Sequence, residues 1–341
     1  MNNVLNEVKT KTCKPFLGLL CLTILYAGEV DHYLAWSNLP IESSAQLNII
    51  YNREIRAALD VINLQTPDCS CEDAAGQILQ HFGVVLNSPI EQHIKQSTDI
   101  DHTPSVHTNL PKYFRNSIFW KKTTSPSHNR LQEVSLNTQI DEIINVGGVY
   151  IGLDKLTHFM GSGYLYYQVY KIVLEGGSSE DDAIKKAIQM GIFGEKKVLG
   201  KIPSGVFSYA DLESNFQGFL FAKNLCSKTE PYLKQTATGW TLVGNFNLKD
   251  YVNPYWDESY NPSYYYKGFN LTLMPKSKTV LTNLPKYCAV YQTDEIQAMF
   301  TYYDSIAKPS FSINYLNTLV DKDEIPNPNM FDIRTICNKV K

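Results

Sequence analysis

Excess basic charge is missing from this 341-residue sequence: 31 lysines and arginines stand against 34 aspartates and glutamates, a net charge of −3. A general nucleic-acid binder shows a basic excess or stripe, so this balance argues against a nucleic-acid partner. Zinc-finger, P-loop and dinucleotide-binding fingerprints are absent. Long apolar runs are scarce as well. The run at 16–28, FLGLLCLTILYAG, falls short of the roughly 20 residues a spanning helix needs. Behind Lys9, Lys11 and Lys14 it suits a secretory h-region, and Ala27 and Gly28 offer small residues for cleavage. Residues 1–28 are therefore expected to be a signal peptide, or else a short anchor, and the protein to be exported. Leu19 and Leu20 stand before Cys21 where lipid attachment wants small residues, which argues against a lipoprotein.

Cysteine is also sparse. Without Cys13 and Cys21 of the leader, Cys69, Cys71, Cys226, Cys288 and Cys337 remain, an odd number. An oxidising compartment then allows up to two disulfides and one leftover thiol. Cys69-Ser-Cys71 is too tight for a common zinc knuckle, and no second pair completes one. One or two disulfides joining Cys69 or Cys71 to the C-terminal half are expected. Aromatic residues, by contrast, are plentiful: 22 Tyr and 15 Phe accompany 4 Trp. Tyrosine has an apolar face and a polar tip, so it can build half-wet surfaces and grooves.

The pattern of apolar residues is mainly helical. Leu47, Ile50, Ile55, Leu59 and Ile62 recur at helical spacing over 46–64. A second helix starts near Glu72 and stops at Gly83, and Pro89 suits the first turn of a short third one at 87–94. Residues 97–131 read as a polar loop or flap, with His93, His102, His107 and His128 as solvated side chains. A long helix from Asp154 to Glu175 should stop at Gly176-Gly177, and Ser178 or Ser179 should cap another that runs to about Val198. Ser208 with Asp211 forms a capping-box layout for a third, ending near Cys226. The expected fold is mainly α. A helical bundle core over 40–235 carries the polar site, and an irregular, aromatic-rich extension over 236–341 packs on it. TGWTLVGNFNLKDYV has room for a short β-hairpin. TNLPKY occurs at 108–113 and again at 282–287, and reads as a reused helix-start turn.

Three polar clusters fall at the ends of the three central helices. Asp154 and His158 lie four apart and share a helix face, where the acid can orient the ring or both can ligate a metal. Glu195 and Lys196 end the helix that contains Gly191 and Gly194. Asp211, Asn215 and Gly218 share one face of the third helix. Each cluster also has a plain structural explanation. Asp154 can be a first-turn acid, Asp211 a capping residue, and His158 a satisfied core histidine. Glu195 is harder to dismiss, because a negative charge at a helix C-terminus is unfavourable. His158, Glu195 and Asp211 are the catalytic candidates. Lys155, Lys196, Asn215 and Trp256 are candidates for holding a substrate, and Asp154 with His158 for a divalent metal. The glycines at 161 and 163 should admit a neighbouring helix, the one bearing Glu195 being the first choice.

Over 152–218, the order Asp154-Lys155-x-x-His158-Phe159, then Gly194-Glu195-Lys196, then Ser208-x-x-Asp211 with Gly218 resembles bacterial envelope proteins of unknown function. These include lipoproteins of the periplasm and, more distantly, VanZ-like membrane proteins, whose several spanning helices this chain lacks. The resemblance implies a compartment, periplasmic or envelope-associated, and no settled reaction. Two roles follow. In the first, the polar residues form a buried network in a non-catalytic protein that binds an envelope glycan, lipid or protein. In the second, they make an envelope hydrolase, either metal-dependent or using Glu195 as acid and Asp211 as base, with a tyrosine-lined groove at 251–266 for sugar rings. Nothing in the sequence sets an oligomeric state.

Overall fold

The computed structural model describes residues 28–83, 89–104, 113–197, 199–227, 229–268 and 277–339. The leader, His107 and most of the first TNLPKY copy lie outside them. In chain order the N-terminal helices are α1 (His32–Ala35), α2 (Ser44–Gln65), α3 (Cys71–His81), α4 (Pro89–Gln96) and α5 (Pro126–Gln139). α5 corrects the loop reading of 97–131: Ser125 caps it, accepting from the His128 amide, and Pro126 takes the first turn. His102 is not solvated either. It is buried, with Nδ1 3.0 Å from Glu142 Oε2.

A hairpin follows, β1 (Ile143–Val146) against β2 (Val149–Gly152). Gly147 and Gly148 both have positive φ, 65° and 85°, as a two-residue hairpin turn demands. The chain then enters α6 (Asp154–Thr157), a π-helical turn at His158–Ser162, and α7 (Gly163–Glu175). The expected single helix is thus interrupted at His158. The pattern of apolar residues is the same on either side of the wide turn, so spacing alone does not betray it. α8 (Glu180–Lys196) is capped by Ser179, which accepts from the Asp182 amide. After β3 (Val206–Phe207), Ser208 caps α9 (Tyr209–Leu225).

α9 is the hub, with α7, the π turn, α8 and α3 packed around it. Its closest approach is to the π turn and the start of α7. A Cβ on Gly218 would stand 1.6 Å from the Phe159 carbonyl oxygen, and one on Gly163 would stand 2.8 Å from Gly218 backbone. The helix that Gly163 admits is therefore the one bearing Asp211, not the one bearing Glu195. Gly191 of α8 instead makes room for the Tyr166 ring. Cys71 and Cys226 form a disulfide that ties the start of α3 to the end of α9. Cys69 is the leftover thiol.

The C-terminal part is more helical than expected and shares the core. Short strands β4 (Leu233–Thr236) and β5 (Gly239–Leu242) make the hairpin, earlier in the chain than the sequence indicates. β6 (Tyr264–Tyr265) pairs with β3. Then α10 (Ser277–Asn283), α11 (Cys288–Tyr291), α12 (Asp294–Ile306), α13 (Phe311–Asp321) and α14 (Ile333–Lys339) follow, with Cys288 bonded to Cys337. The second TNLPKY copy ends α10 and forms a 3-10 turn. The aromatic residues are core: Trp256 is fully buried, its ring 5.7 Å from that of Phe159. Tyr251, Tyr260 and Tyr265 are buried too, whereas Tyr255, Tyr264 and Tyr266 are half-buried, so most of the expected groove residues belong to the core. Among the described residues no helix is long and apolar enough to cross a membrane.

The Gly218 contact sets a clear expectation. Gly218→Ala forces α9 away from the π turn and should cost about 3 kcal/mol, in the range of overpacked cores. Urea unfolding followed by circular dichroism measures it, and a change below about 0.5 kcal/mol would mean the crossing can relax.

Candidate functional site

Lys155 sits in the first turn after the β1–β2 hairpin, and its side chain is fully buried. Its Nζ lies 2.6 Å from Asp154 Oδ2, 2.6 Å from Asp211 Oδ1 and 2.9 Å from Glu258 Oε1. The ammonium donates hydrogen bonds to Asp154 and Glu258 and is ion-paired with Asp211. Ser208 extends the network. Its Oγ accepts from the Asp211 amide at 3.1 Å and donates to Glu258 Oε1 at 3.1 Å. Ser263 donates to the other Glu258 oxygen at 3.2 Å. The residue that starts α9 thus also binds the aromatic segment to it.

His158 projects from the π turn. Its Nε2 is 3.2 Å from Asp211 Oδ2, and its Nδ1 is 2.9 Å from Asn215 Oδ1. Both ring nitrogens face acceptors, which only the doubly protonated imidazolium satisfies. Burial opposes that charge, but the Asp211 carboxylate prevails and its pKa is pushed up to about 9. Asp211 responds in the opposite sense. Burial would raise it, yet His158 and Lys155 hold it well below the usual carboxylate range.

Glu195, at the end of α8, is buried and accepts from the Ser208 amide at 3.2 Å. Burial, reinforced by the Asp211 charge, pushes its pKa up to about 8. The penalty of an acid at a helix C-terminus is met by one partner and by retention of the proton. Asp154 is also pushed up to about 8, chiefly by burial, although Lys155 pulls the other way. Its Oδ1 has no partner and occupies the space that a side chain on Gly152 would fill, 2.3 Å from that Cβ position. A proton on Oδ1 leaves Oδ2 free to keep its contact with Lys155. With Asp154 and Glu195 protonated, the Lys155 and His158 cations both face the ionised Asp211.

These groups are not sealed in. Asp154, His158, Glu195 and Asp211 line a cavity of about 300 Å³, together with Glu29, Glu91, Lys95, Asp141 and Glu142. Lys95 is engaged at the rim, 2.7 Å from Asp141. Glu91 accepts from the Thr157 hydroxyl, and burial followed by the Asp141 charge pushes it up to about 7. Burial also raises Glu29 well above the usual range. Seven acids and two cationic side chains therefore face one space.

The three catalytic candidates converge on the cavity, as does Asp154. The four candidates for substrate binding do not line it. Lys155 lies beneath its floor. Asn215 is buried and orients His158. Lys196 turns away to the Glu324 carbonyl, and Trp256 belongs to the core. Glu258 and the rim acids went unread in the sequence. Glu258 offers one signal, an acid inside an aromatic stretch, and Glu91 another, its i,i+4 relation to Lys95.

Donor atoms of Asp154, His158 and Asp211 lie within 4.8 Å of one another, close enough to grip an ion. Lys155 Nζ stands 2.6 Å from one oxygen of each carboxylate, so an ion there would share these acids with the ammonium. No family model, curated protein or solved structure matches the chain.

The proton inventory fixes a pH trend. Between the ordinary value of 4.5 and about 8, folded Glu195 keeps a proton that the unfolded chain has released. Between 6.5 and about 9, His158 does the same. Stability from both is full at low pH and is lost as pH rises through the folded values, at up to about 1.4 kcal/mol per unit for each group. The melting temperature should fall from pH 5 to pH 9, and Glu195→Gln should flatten the lower part of that slope. Melts across that range check this, and a flat wild-type curve would contradict it.

Proposed function

We propose that this is an exported protein of the bacterial envelope with a non-catalytic binding role. In this reading the Lys155 network fixes the walls of the acid-lined cavity, which receives a polar envelope component such as a glycan. The carrying observation is that both Asp211 oxygens face cations, Oδ1 2.6 Å from Lys155 Nζ and Oδ2 3.2 Å from His158 Nε2. A general base needs a pKa near the working pH, and these cations hold Asp211 far below it. Both His158 N–H groups are engaged, by Asp211 and Asn215, so what the cavity offers as a hydrogen-bond donor is the acid form of Glu195. A donor of that kind suits the hydroxyl and carbonyl oxygens of a ligand. The two disulfides and the apolar run at 16–28 support the compartment.

One observation favours a hydrolase as the second reading. Glu195 is held protonated beside an ionised Asp211, and environments that drive two carboxyl groups apart are how enzymes divide acid from base. Asp211 would have to leave Lys155 to act.

Three variants separate the readings. Lys155→Met strands buried carboxylates and should cost about 3–5 kcal/mol, a drop of roughly 5 °C in melting temperature. Glu195→Gln should melt within about 3 °C of wild type. Soluble wall-glycan fragments should raise the melting temperature of wild type but not of His158→Ala, and chromogenic esters, phosphates and glycosides should show no turnover. Turnover that Glu195→Gln abolishes without a change in melting would establish the hydrolase instead. A Lys155→Met protein as stable as wild type would remove the network from both readings.

A further inference from the structure

A second cavity, of about 660 Å³, opens between α5 and the turn before α11, and its chemistry is opposite to that of the first. Four of its lining residues are cations: Arg115, Lys122, Arg130 and Lys286. Its one acid, Glu133, is already spent, with Oε1 2.7 Å from Arg115 Nε and 2.6 Å from the terminal nitrogen. Lys286 is aimed by Asn283, whose Oδ1 accepts from Nζ and whose amide donates to the Ile118 and Trp120 carbonyls. The side chains of Lys122 and Arg130 are exposed and have no partner among the described residues. With Arg115 neutralised by Glu133, Lys122, Arg130 and Lys286 are in excess, which costs self-repulsion, and this occurs in a chain whose net charge is −3. The α5 N-terminus, at Pro126, adds the positive end of a 14-residue helix to the same cavity.

Two apolar side chains on the same helix, outside the cavity lining, are open to solvent. Leu131 and Val134, one turn apart on α5, are each 61% exposed. Cations next to exposed aliphatic residues on one helix are the features of a membrane-surface contact, where the basic groups meet headgroup phosphates and the apolar groups enter the acyl boundary. An aqueous phosphate would use the cations and leave Leu131 and Val134 with no role.

We infer that this cleft and the adjoining face of α5 dock on an anionic bilayer, with lipid headgroup phosphates seated among Arg115, Lys122, Arg130 and Lys286. The surface is separate from the acid-lined cavity. That cavity takes the other end of α5, from Asn137 onward, about 10 Å along the axis from Arg130. Binding here therefore stands or falls independently of what the acidic site does.

Sedimentation of the full chain with phosphatidylglycerol and with phosphatidylcholine vesicles tests this. Any attachment through the apolar run at 16–28 is common to both, so the readout is the preference for the anionic vesicles. Wild type should favour phosphatidylglycerol by about tenfold or more, and lose that preference in high salt. Lys122→Glu combined with Arg130→Glu should abolish it. Leu131→Ser combined with Val134→Ser should weaken vesicle binding while leaving any affinity for inorganic pyrophosphate intact. All four positions are exposed, and thermal melts verify that the variants fold. Equal binding to both lipids, or a charge-reversed variant that keeps the preference, overturns the inference. Pyrophosphate binding without vesicle preference overturns it too, in favour of a soluble phosphate ligand.

Discussion

One buried ammonium organises this molecule. Lys155 joins three segments far apart in the chain: the turn after the β1–β2 hairpin, the first turn of α9, and the aromatic segment that carries Glu258. A buried cation is tolerable only when its protons are all matched, and a buried carboxylate only when its charge is met. Each partner therefore constrains the others. Asp211 cannot serve Lys155 unless α9 approaches to the distance that Gly218 permits, and Glu258 cannot reach it unless Trp256 is inserted against Phe159. The polar contacts specify which of several apolar packings is adopted, while the aromatic core supplies the bulk of the burial.

Above that ammonium the network changes character. Glu258 is fully engaged, taking bonds from Lys155, Ser208 and Ser263. Toward the cavity, the matching loosens: Asp154 Oδ1 has no partner, and Glu195 has a single backbone donor. The protons retained on these groups follow from their desolvation, not from any partner that favours the neutral form. The cavity face is thus the less satisfied side of one continuous network, and a ligand with suitable oxygens would complete it.

The central helices were legible because their signals are local. Ser179 and Ser208 cap as their neighbours in sequence indicate, Gly176-Gly177 stops α7, and the offsets along α9 put Asp211, Asn215 and Gly218 on one side. The meeting of His158, Glu195 and Asp211 followed from short links between those helices. What could not be read depends on distant chain. Glu258 lies 103 residues from Lys155. Trp256 and its tyrosine neighbours looked like a groove because an aromatic residue is equally suited to core and to surface. Lys155 and Asn215 were assigned to a ligand, whereas both are occupied in holding other groups in place. His102 seemed solvated because the strand that buries it was not recognised. The π turn at His158 escaped notice because a widened turn leaves composition unchanged.

The Cys71–Cys226 disulfide bears on the order in which these parts assemble. The two cysteines are 155 residues apart, and every residue of α6, α7, α8 and α9 lies between them. During synthesis or export from the N-terminus, Cys71 has to wait until the whole hub has emerged. Cys69, two residues away, remains a competing thiol throughout that interval. The bond forms only once all the residues of the hub are present. It closes behind them, and its correct pairing is a record that α3 has found the finished end of α9.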